Sequence, residues 1–183
     1  MRADARRNRE RLLAAAMEAF GEHGAEASLD DIAKRAGVGP GTLYRHFPTR
    51  LALQEAAYRE GVEALCARAD ELAVKLEPGT ALAAWLRIMV DYLGEKRGLA
   101  AALLATQDKT SELFVSCHKA IHAAGGRLLD EAKNTAAVRP DVTLSEILKL
   151  VNGIGLSTEQ LQDRTEVAER LLAIVLDGLR PQP

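Results

Sequence analysis

From Ser28 to Arg50 the chain reads SLDDIAKRAGVGPGTLYRHFPTR, and the punctuation of this stretch leaves its backbone few options. Gly37 stops one helical run. Gly39, Pro40 and Gly41 start another, because proline suits a first helical turn, where its missing N–H costs nothing. Ahead of the turn, the Ser28 hydroxyl can cap the free N–H groups of the first helix, and Asp30 and Asp31 sit favourably near the positive end of its dipole. Leu29, Ile32, Ala33 and Ala36 supply the buried face of that helix, and Val38 is the apolar anchor of the turn. In the second helix Leu43 and Phe47 face inward, so Thr42, Tyr44, Arg45 and His46 cover the outward arc. Pro48 ends it by disfavouring helical geometry in the residue before. Two short helices about a glycine turn, the second ending in an aromatic and cationic cluster, have the layout of a helix-turn-helix.

The remainder of the 183 residues is expected to be helical as well. Hydrophobic residues make up 48% of the chain but aromatics only 4%, so Ala and Leu carry the apolar share, and both lose little freedom in a helix. That length accommodates one or two compact domains. Charged or polar residues interrupt every apolar run before it reaches the roughly 18 residues of a membrane span. The basic start MRADARRNRE is not followed by the apolar core of a signal peptide, and a soluble cytoplasmic protein is expected.

Formal net charge is only -2, but the signs are unevenly placed. Residues 1–50 hold nine Lys and Arg against seven Asp and Glu, and the rest holds 15 against 19. Arg2, Arg6, Arg7, Arg9 and Arg11 fall within the first eleven residues, where a phosphate-facing arm would be useful.

Taken in order, the first helix is expected from Ala5 to His23, with Leu12, Leu13, Ala16 and Phe20 on its apolar stripe. A fourth helix follows from Arg50 to Leu76, its seam formed by Tyr58, Val62, Leu65, Ala69, Leu72 and Leu76. Pro78 and Gly79 mark a boundary, and Thr80 can cap the next helix, which presents Leu82, Trp85, Leu86, Met89 and Leu93. Gly94 and Gly98 bracket a break before a short helix, Leu99 to Thr106, and a longer one starts near Ser111. Thr143 and Glu146 form a capping box ahead of an apolar helix, and the last helix runs from Thr165 to Leu179. The expected fold is all-α with about nine helices: a three-helix helix-turn-helix domain over residues 1–50, a linking helix over 50–76, and a helical domain over 77–183.

Chemistry beyond binding finds little support. Cys66 and Cys117 are too few for a disulfide framework or a four-cysteine zinc site and are expected as core thiols. His118 and His122 share a helix face, but the adjacent Cys117 lies about 100° round the wheel and no glutamate follows in the metalloprotease arrangement, so no metal is expected. No nucleophile is accompanied by a plausible base, and no glycine loop is shaped to hold phosphate. An enzyme is therefore not expected, nor is a cofactor.

The run from Phe20 to Leu53, with IAKRAGV upstream of GTLYRHF, resembles the DNA-binding domain of TetR-type bacterial transcriptional regulators. The resemblance covers about the first third of the chain. It implies a ligand-responsive regulator, most often a repressor: a homodimer with two helix-turn-helix heads on a pseudo-palindromic double-stranded operator, and a helical body that binds a small apolar effector. By this resemblance Gly39, Pro40, Gly41 and Arg45 approach base edges, while Ser28, Thr42, Tyr44, His46 and Arg50 touch phosphates. Pro40 and Pro48 depart from the residues many relatives carry, which places more of the base readout on Arg45. Effector contacts are expected at Trp85, Met89, Leu103, Gln107, Phe114 and His118, on apolar faces of the central helices with a few polar groups. A four-helix dimer interface is expected from Leu148, Val151 and Gly155 with Val167, Leu171, Ile174 and Val175, because the last helix is apolar on more than one side. A helical protein-interaction module, or a metal-binding helical protein without DNA specificity, is the alternative.

Overall fold

A computed structural model of the chain describes residues 2–95, 97–106 and 110–181. Among the described residues there are nine α-helices, a single 3-10 turn at Gly24–Glu26 and no strand. The helices are α1 (Arg2–His23), α2 (Leu29–Arg35), α3 (Pro40–His46), α4 (Arg50–Lys75), α5 (Pro78–Glu95), α6 (Arg97–Leu104), α7 (Glu112–Asn134), α8 (Leu144–Thr158) and α9 (Arg164–Gly178). None of them is long and apolar enough to cross a membrane.

The all-α class and the helix order follow the sequence expectation, and the departures have local causes. α1 starts at Arg2 rather than Ala5, so the N-terminal arginines are helical. Alanine, arginine and glutamate are good helix formers, and Asp4 sits in the first turn, where a carboxylate suits the dipole. α5 opens at Pro78 itself, with Ala81 N–H donating to the Glu77 carbonyl at 2.8 Å. Proline is pre-shaped for that first position, and Thr80 lies inside the first turn instead of capping it.

The helices gather into two compact units that do not follow one cut in chain order. The first holds the chain up to Val62 together with Glu95–Ser116; the second holds Glu63–Gly94 and the chain from Cys117 onward. The first unit therefore includes α6, which packs on α1 and on the 3-10 turn. Gly98 makes that approach possible. A Cβ there would lie 2.4 Å from the Phe20 carbonyl oxygen and 3.2 Å from Cα of Gly24, whose own φ of +54° favours glycine. Gly98 thus lies in the first turn of α6, and the expected break between Gly94 and Gly98 stands where α5 ends at Glu95 and α6 begins at Arg97. Leu12, Leu13, Phe20, Ile32, Leu43, Leu53, Leu99 and Leu103 are the large residues fully buried in this unit.

The second unit is built around Trp85, the chain's only tryptophan. Its ring is fully buried in a cluster with Leu65 and Leu72 of α4, Leu86 and Met89 of α5, Leu128 of α7, Ile147 and Val151 of α8 and Leu172 of α9. The indole N–H donates to the Leu65 carbonyl at 3.1 Å, which removes the penalty of burying an unpaired donor. Thr143 and Glu146 form the expected capping box at the start of α8: Thr143 N–H donates to Glu146 Oε2 at 2.8 Å and Glu146 N–H donates to Thr143 Oγ1 at 3.3 Å. Hydrogen bonds from the Thr143 hydroxyl and backbone hold the Glu146 carboxyl below its ordinary pKa.

Gly125 on α7 lies against the Trp85 ring, where a Cβ would come within 2.6 Å of two ring carbons. Gly125→Ala is expected to lower stability by about 1–3 kcal/mol through overpacking. Denaturant unfolding followed by tryptophan emission checks this. An unchanged midpoint with unchanged emission would contradict the packing described for Trp85.

Candidate nucleic-acid interface

The first unit holds α3 by local geometry and by burial. Ser28 Oγ accepts from Asp31 N–H at 3.3 Å, as an N-cap should. At the other end of α2, Gly37 N–H donates to Lys34 O and Val38 N–H to Ala33 O, both at 3.0 Å, around a Gly37 φ of +66°. That paired closure with a left-handed glycine is the Schellman arrangement, and it turns the chain toward α3. Gly39 then caps α3 with Pro40 as its first residue, and Phe47 leaves the helix in extended geometry (φ -133°, ψ 91°) ahead of Pro48. Leu43 and Phe47 are buried and fix the inner edge of α3. The Arg9 guanidinium carbon lies 5.8 Å from the centre of the Phe47 ring, a cation–π contact worth about 0.5–1 kcal/mol.

The outer edge has no such duties. Pro40, Gly41, Tyr44 and Arg45 are exposed, Tyr44 to 49%. Arg45 joins no ion pair among the described residues. Among the described residues a Cβ at Gly39 or Gly41 would meet nothing within 4 Å, and Gly39 has an ordinary φ of -76°. Neither glycine is thus required by the packing of the chain itself. Thr42 and His46 are only half-exposed; the ring of His46 lies 6.3 Å from that of Phe47, and its Nε2 is buried without a hydrogen-bond partner among the described residues. His46 thus belongs partly to the inner face rather than wholly to the outward arc.

Arg50 has a role the sequence did not disclose. Its Nη1 donates to the carbonyls of Ala27 at 2.7 Å and Ala25 at 3.2 Å, tying the start of α4 to the connection between α1 and α2. Thr49 caps α4 by accepting from Ala52 N–H at 3.0 Å. Across the outside of α1 and α2, Arg35 Nη2 donates to Glu22 Oε2 at 2.8 Å, and this hydrogen bond holds the Glu22 carboxyl below its ordinary pKa.

The residues expected to contact an effector are divided between the two units. Trp85 and Met89 are buried in the core of the second unit, and His118 is exposed there, its ring 4.2 Å from that of His122. Partial burial, and then the neighbouring His118, push the pKa of His122 below the ordinary histidine value. Leu103 is buried in the first unit, where Phe114 packs edge-on against Tyr58 with ring centres 5.4 Å apart. Gln107 lies outside the described residues.

Of the residues expected at a dimer interface, Val151 and Gly155 face into the core of the second unit, Val151 with 0% exposure. The inner arc of α8 carries Ile147, Val151 and Ile154, so these positions pack against the chain itself. Leu148, Leu171 and Val175 are half-buried against that core, Val167 is half-buried, and Ile174 is 69% exposed. The sequence reading omitted Leu150 and Leu156, which are 54% and 51% exposed. Only Leu156 had a signal in the sequence, since it falls about 180° from the Ile147–Val151–Ile154 arc on a helical wheel, whereas Leu150 stands at the edge of that arc.

A buried inner edge on α3, an unoccupied outer edge and a capped turn between them define a DNA-binding protein of the helix-turn-helix class. Residues 12–57 match the family model described as bacterial regulatory proteins, tetR family, and residues 77–181 match that of the SbtR-like transcriptional regulator C-terminal domain. The crystal structure of the TetR transcriptional regulator SCO0520 from Streptomyces coelicolor is 42% identical, with a TM-score of 0.86 over 96% of this chain and 99% of that one. That of a TetR transcription regulatory protein from Mycobacterium vanbaalenii is 36% identical, with a TM-score of 0.81 over 98% and 99%. Among curated relatives, the HTH-type transcriptional regulator SAUSA300_2515 of Staphylococcus aureus (strain USA300) is 52% identical over 48 residues, a match spanning 26% of either chain. The chain belongs to the TetR family of bacterial transcriptional regulators, which are DNA-binding proteins and not enzymes.

Two substitutions separate the inner and outer duties of this unit. Arg50→Met removes a charged donor from two carbonyls and is expected to lower stability by about 1.5–3 kcal/mol in thermal or denaturant unfolding. Gly41→Ala is expected to leave stability unchanged or raise it by up to about 1 kcal/mol, while weakening DNA binding several-fold by placing a methyl on the approaching surface. Loss of stability in Gly41→Ala, or none in Arg50→Met, would reverse these assignments.

Proposed function

We propose that the protein is a ligand-responsive repressor that binds a pseudo-palindromic operator as a homodimer and is released by a small apolar molecule. The observation that carries this reading is the exposed outer edge of α3, where Pro40, Gly41, Tyr44 and Arg45 have no packing role while Leu43 and Phe47 anchor the opposite edge. Arg45 can pair in bidentate fashion with the O6 and N7 of a guanine in the major groove. Pro40 and Gly41 bring bare backbone close to the bases, and the hydroxyls of Thr42 and Tyr44 suit phosphate oxygens, which set register without reading sequence. Ser28, His46 and Arg50 border this surface, Arg50 with one guanidinium nitrogen already held internally.

Dimerisation is supported by an apolar surface on α8 and α9 that the described residues leave exposed. Leu150 and Leu156 are exposed on α8, and Ile174 is exposed on α9, where Val167 and Leu171 continue the stripe. Two copies meeting there through a two-fold axis would bury it in a four-helix contact. Such a dimer would address half-sites roughly 34–36 Å apart, or a multiple of that, which is why a pseudo-palindrome is expected.

In this reading the effector acts on the packing around Trp85 and Met89. A molecule settling between them must open a closed core, so it favours an arrangement other than the packed one. If that arrangement binds the operator less well, a coupling of about 1–3 kcal/mol weakens DNA binding roughly 5- to 150-fold. The working compartment in this reading is the cytoplasm, alongside the DNA.

Fluorescence anisotropy of the purified protein with fragments of its own genome tests the function. Salt-sensitive, sequence-preferring binding is expected, and its absence would reject the regulator reading. On a preferred fragment, Arg45→Ala is expected to relax discrimination by about 1–3 kcal/mol at one base pair of each half-site, while Thr42→Ala weakens binding evenly across sequences. Equal losses on every sequence for both variants would reject this division of roles.

A further inference from the structure

We propose that Arg7 and Arg11, on one face of α1, form a phosphate-binding ridge that grips the DNA backbone beside the place α3 occupies. This rests on the DNA-reading function above and adds to it a contact outside the helix-turn-helix. Because α1 begins at Arg2, both arginines project from a formed helix rather than from a tail. They stand one turn apart on the same face, about 6 Å along the axis. The guanidinium of Arg11 lies against the turn into α3: its Nη1 is 3.5 Å from the position a Cβ would take at Gly37. Gly37 is followed two residues later by the cap of α3, so a positive charge is set beside the helix start that would enter the groove.

Both arginines are available to an outside anion. Arg7 is largely exposed and pairs with Asp4 on its own helix at 2.8 Å, and Arg11 donates to the neutral side chain of Asn8, also on α1. Both of these partners lie on α1 itself, so turning either arginine toward a phosphate gives up a pair within one helix. Arg9 is different, since it lies over the Phe47 ring and 3.9 Å from Glu60 on α4. Arg6 is different again; it pairs with Glu10 at 3.6 Å and projects about 100° round the helix from Arg7. The selection of two arginines from the N-terminal group thus follows from what each one touches. Phosphates succeed one another every 3.4 Å or so along a strand's axis, so two long side chains one helical turn apart can reach separate phosphates.

The test is a salt titration of DNA binding on the preferred genomic fragment and on a scrambled duplex of equal length, comparing wild type, the Arg7→Gln/Arg11→Gln double variant and Arg6→Gln. Glutamine keeps helix propensity and removes only the charge. The double variant is expected to flatten the slope of log K against log salt by about two for each head, at about 0.9 per phosphate contact. Its affinity should fall on both duplexes alike, leaving the ratio between them unchanged, and Arg6→Gln should retain the wild-type slope. An unchanged slope in the double variant, or an equal flattening in Arg6→Gln, would overturn the ridge. A wild type that lacks salt-sensitive, sequence-preferring binding would instead overturn the regulator reading, and the ridge with it.

Discussion

A helix of seven residues has almost no stability of its own, because nucleation fixes several dihedrals before the first hydrogen bonds repay it. α3 therefore depends on the burial of Leu43 and Phe47, which convert a marginal segment into a fixed edge of the first unit. Burying two such side chains is worth about 1.5–3 kcal/mol each relative to exposure, enough to order a short helix whose ends are already set. The presentation of Arg45 follows from this, since a side chain can read a base only from a backbone that stays still.

The surrounding contacts act on the same helix from several sides. The glycine closure at Gly37 sets the direction in which the chain leaves α2, and Pro40 starts α3 without a wasted donor. Arg9 covers the Phe47 ring, and Arg50 holds the entry to α4 against the carbonyls of Ala25 and Ala27. The same connection carries the 3-10 turn against which α6 packs, through the close approach of Gly98 to Gly24. The sequence-distant α6 is thus part of the unit that displays α3.

Features written in neighbouring residues were legible in the sequence: the Ser28 cap, the Gly37 stop, the Pro40 start, the inward Leu43 and Phe47, and the Thr143–Glu146 box all stand where local chemistry put them. Each depends on atoms a few residues apart, and the family resemblance rests on that same stretch. What escaped depends on partners far along the chain. The packing of Gly98 against Phe20 and Gly24 has no signal in its neighbours, and neither do the two carbonyls, 23 and 25 residues earlier, that accept from the Arg50 guanidinium. Val151 and Leu150 are neighbours of similar hydrophobicity, yet Val151 is fully buried in the core cluster and Leu150 is exposed, because successive residues stand about 100° apart on a helix and only one face of α8 joins that cluster. Periodicity supplies the faces of a helix; which face finds the core is decided by packing.

In the proposed complex α3 lies in the major groove with Arg45 against a guanine. Methylation interference on a preferred genomic fragment addresses it directly, since dimethyl sulfate marks guanine N7 in the major groove and adenine N3 in the minor groove. Interference is expected at guanine N7 in two symmetric half-sites, with one of those guanines in each half-site losing its effect when Arg45 is replaced by alanine. Interference confined to adenine N3, or a pattern that Arg45→Ala leaves unchanged, would contradict it.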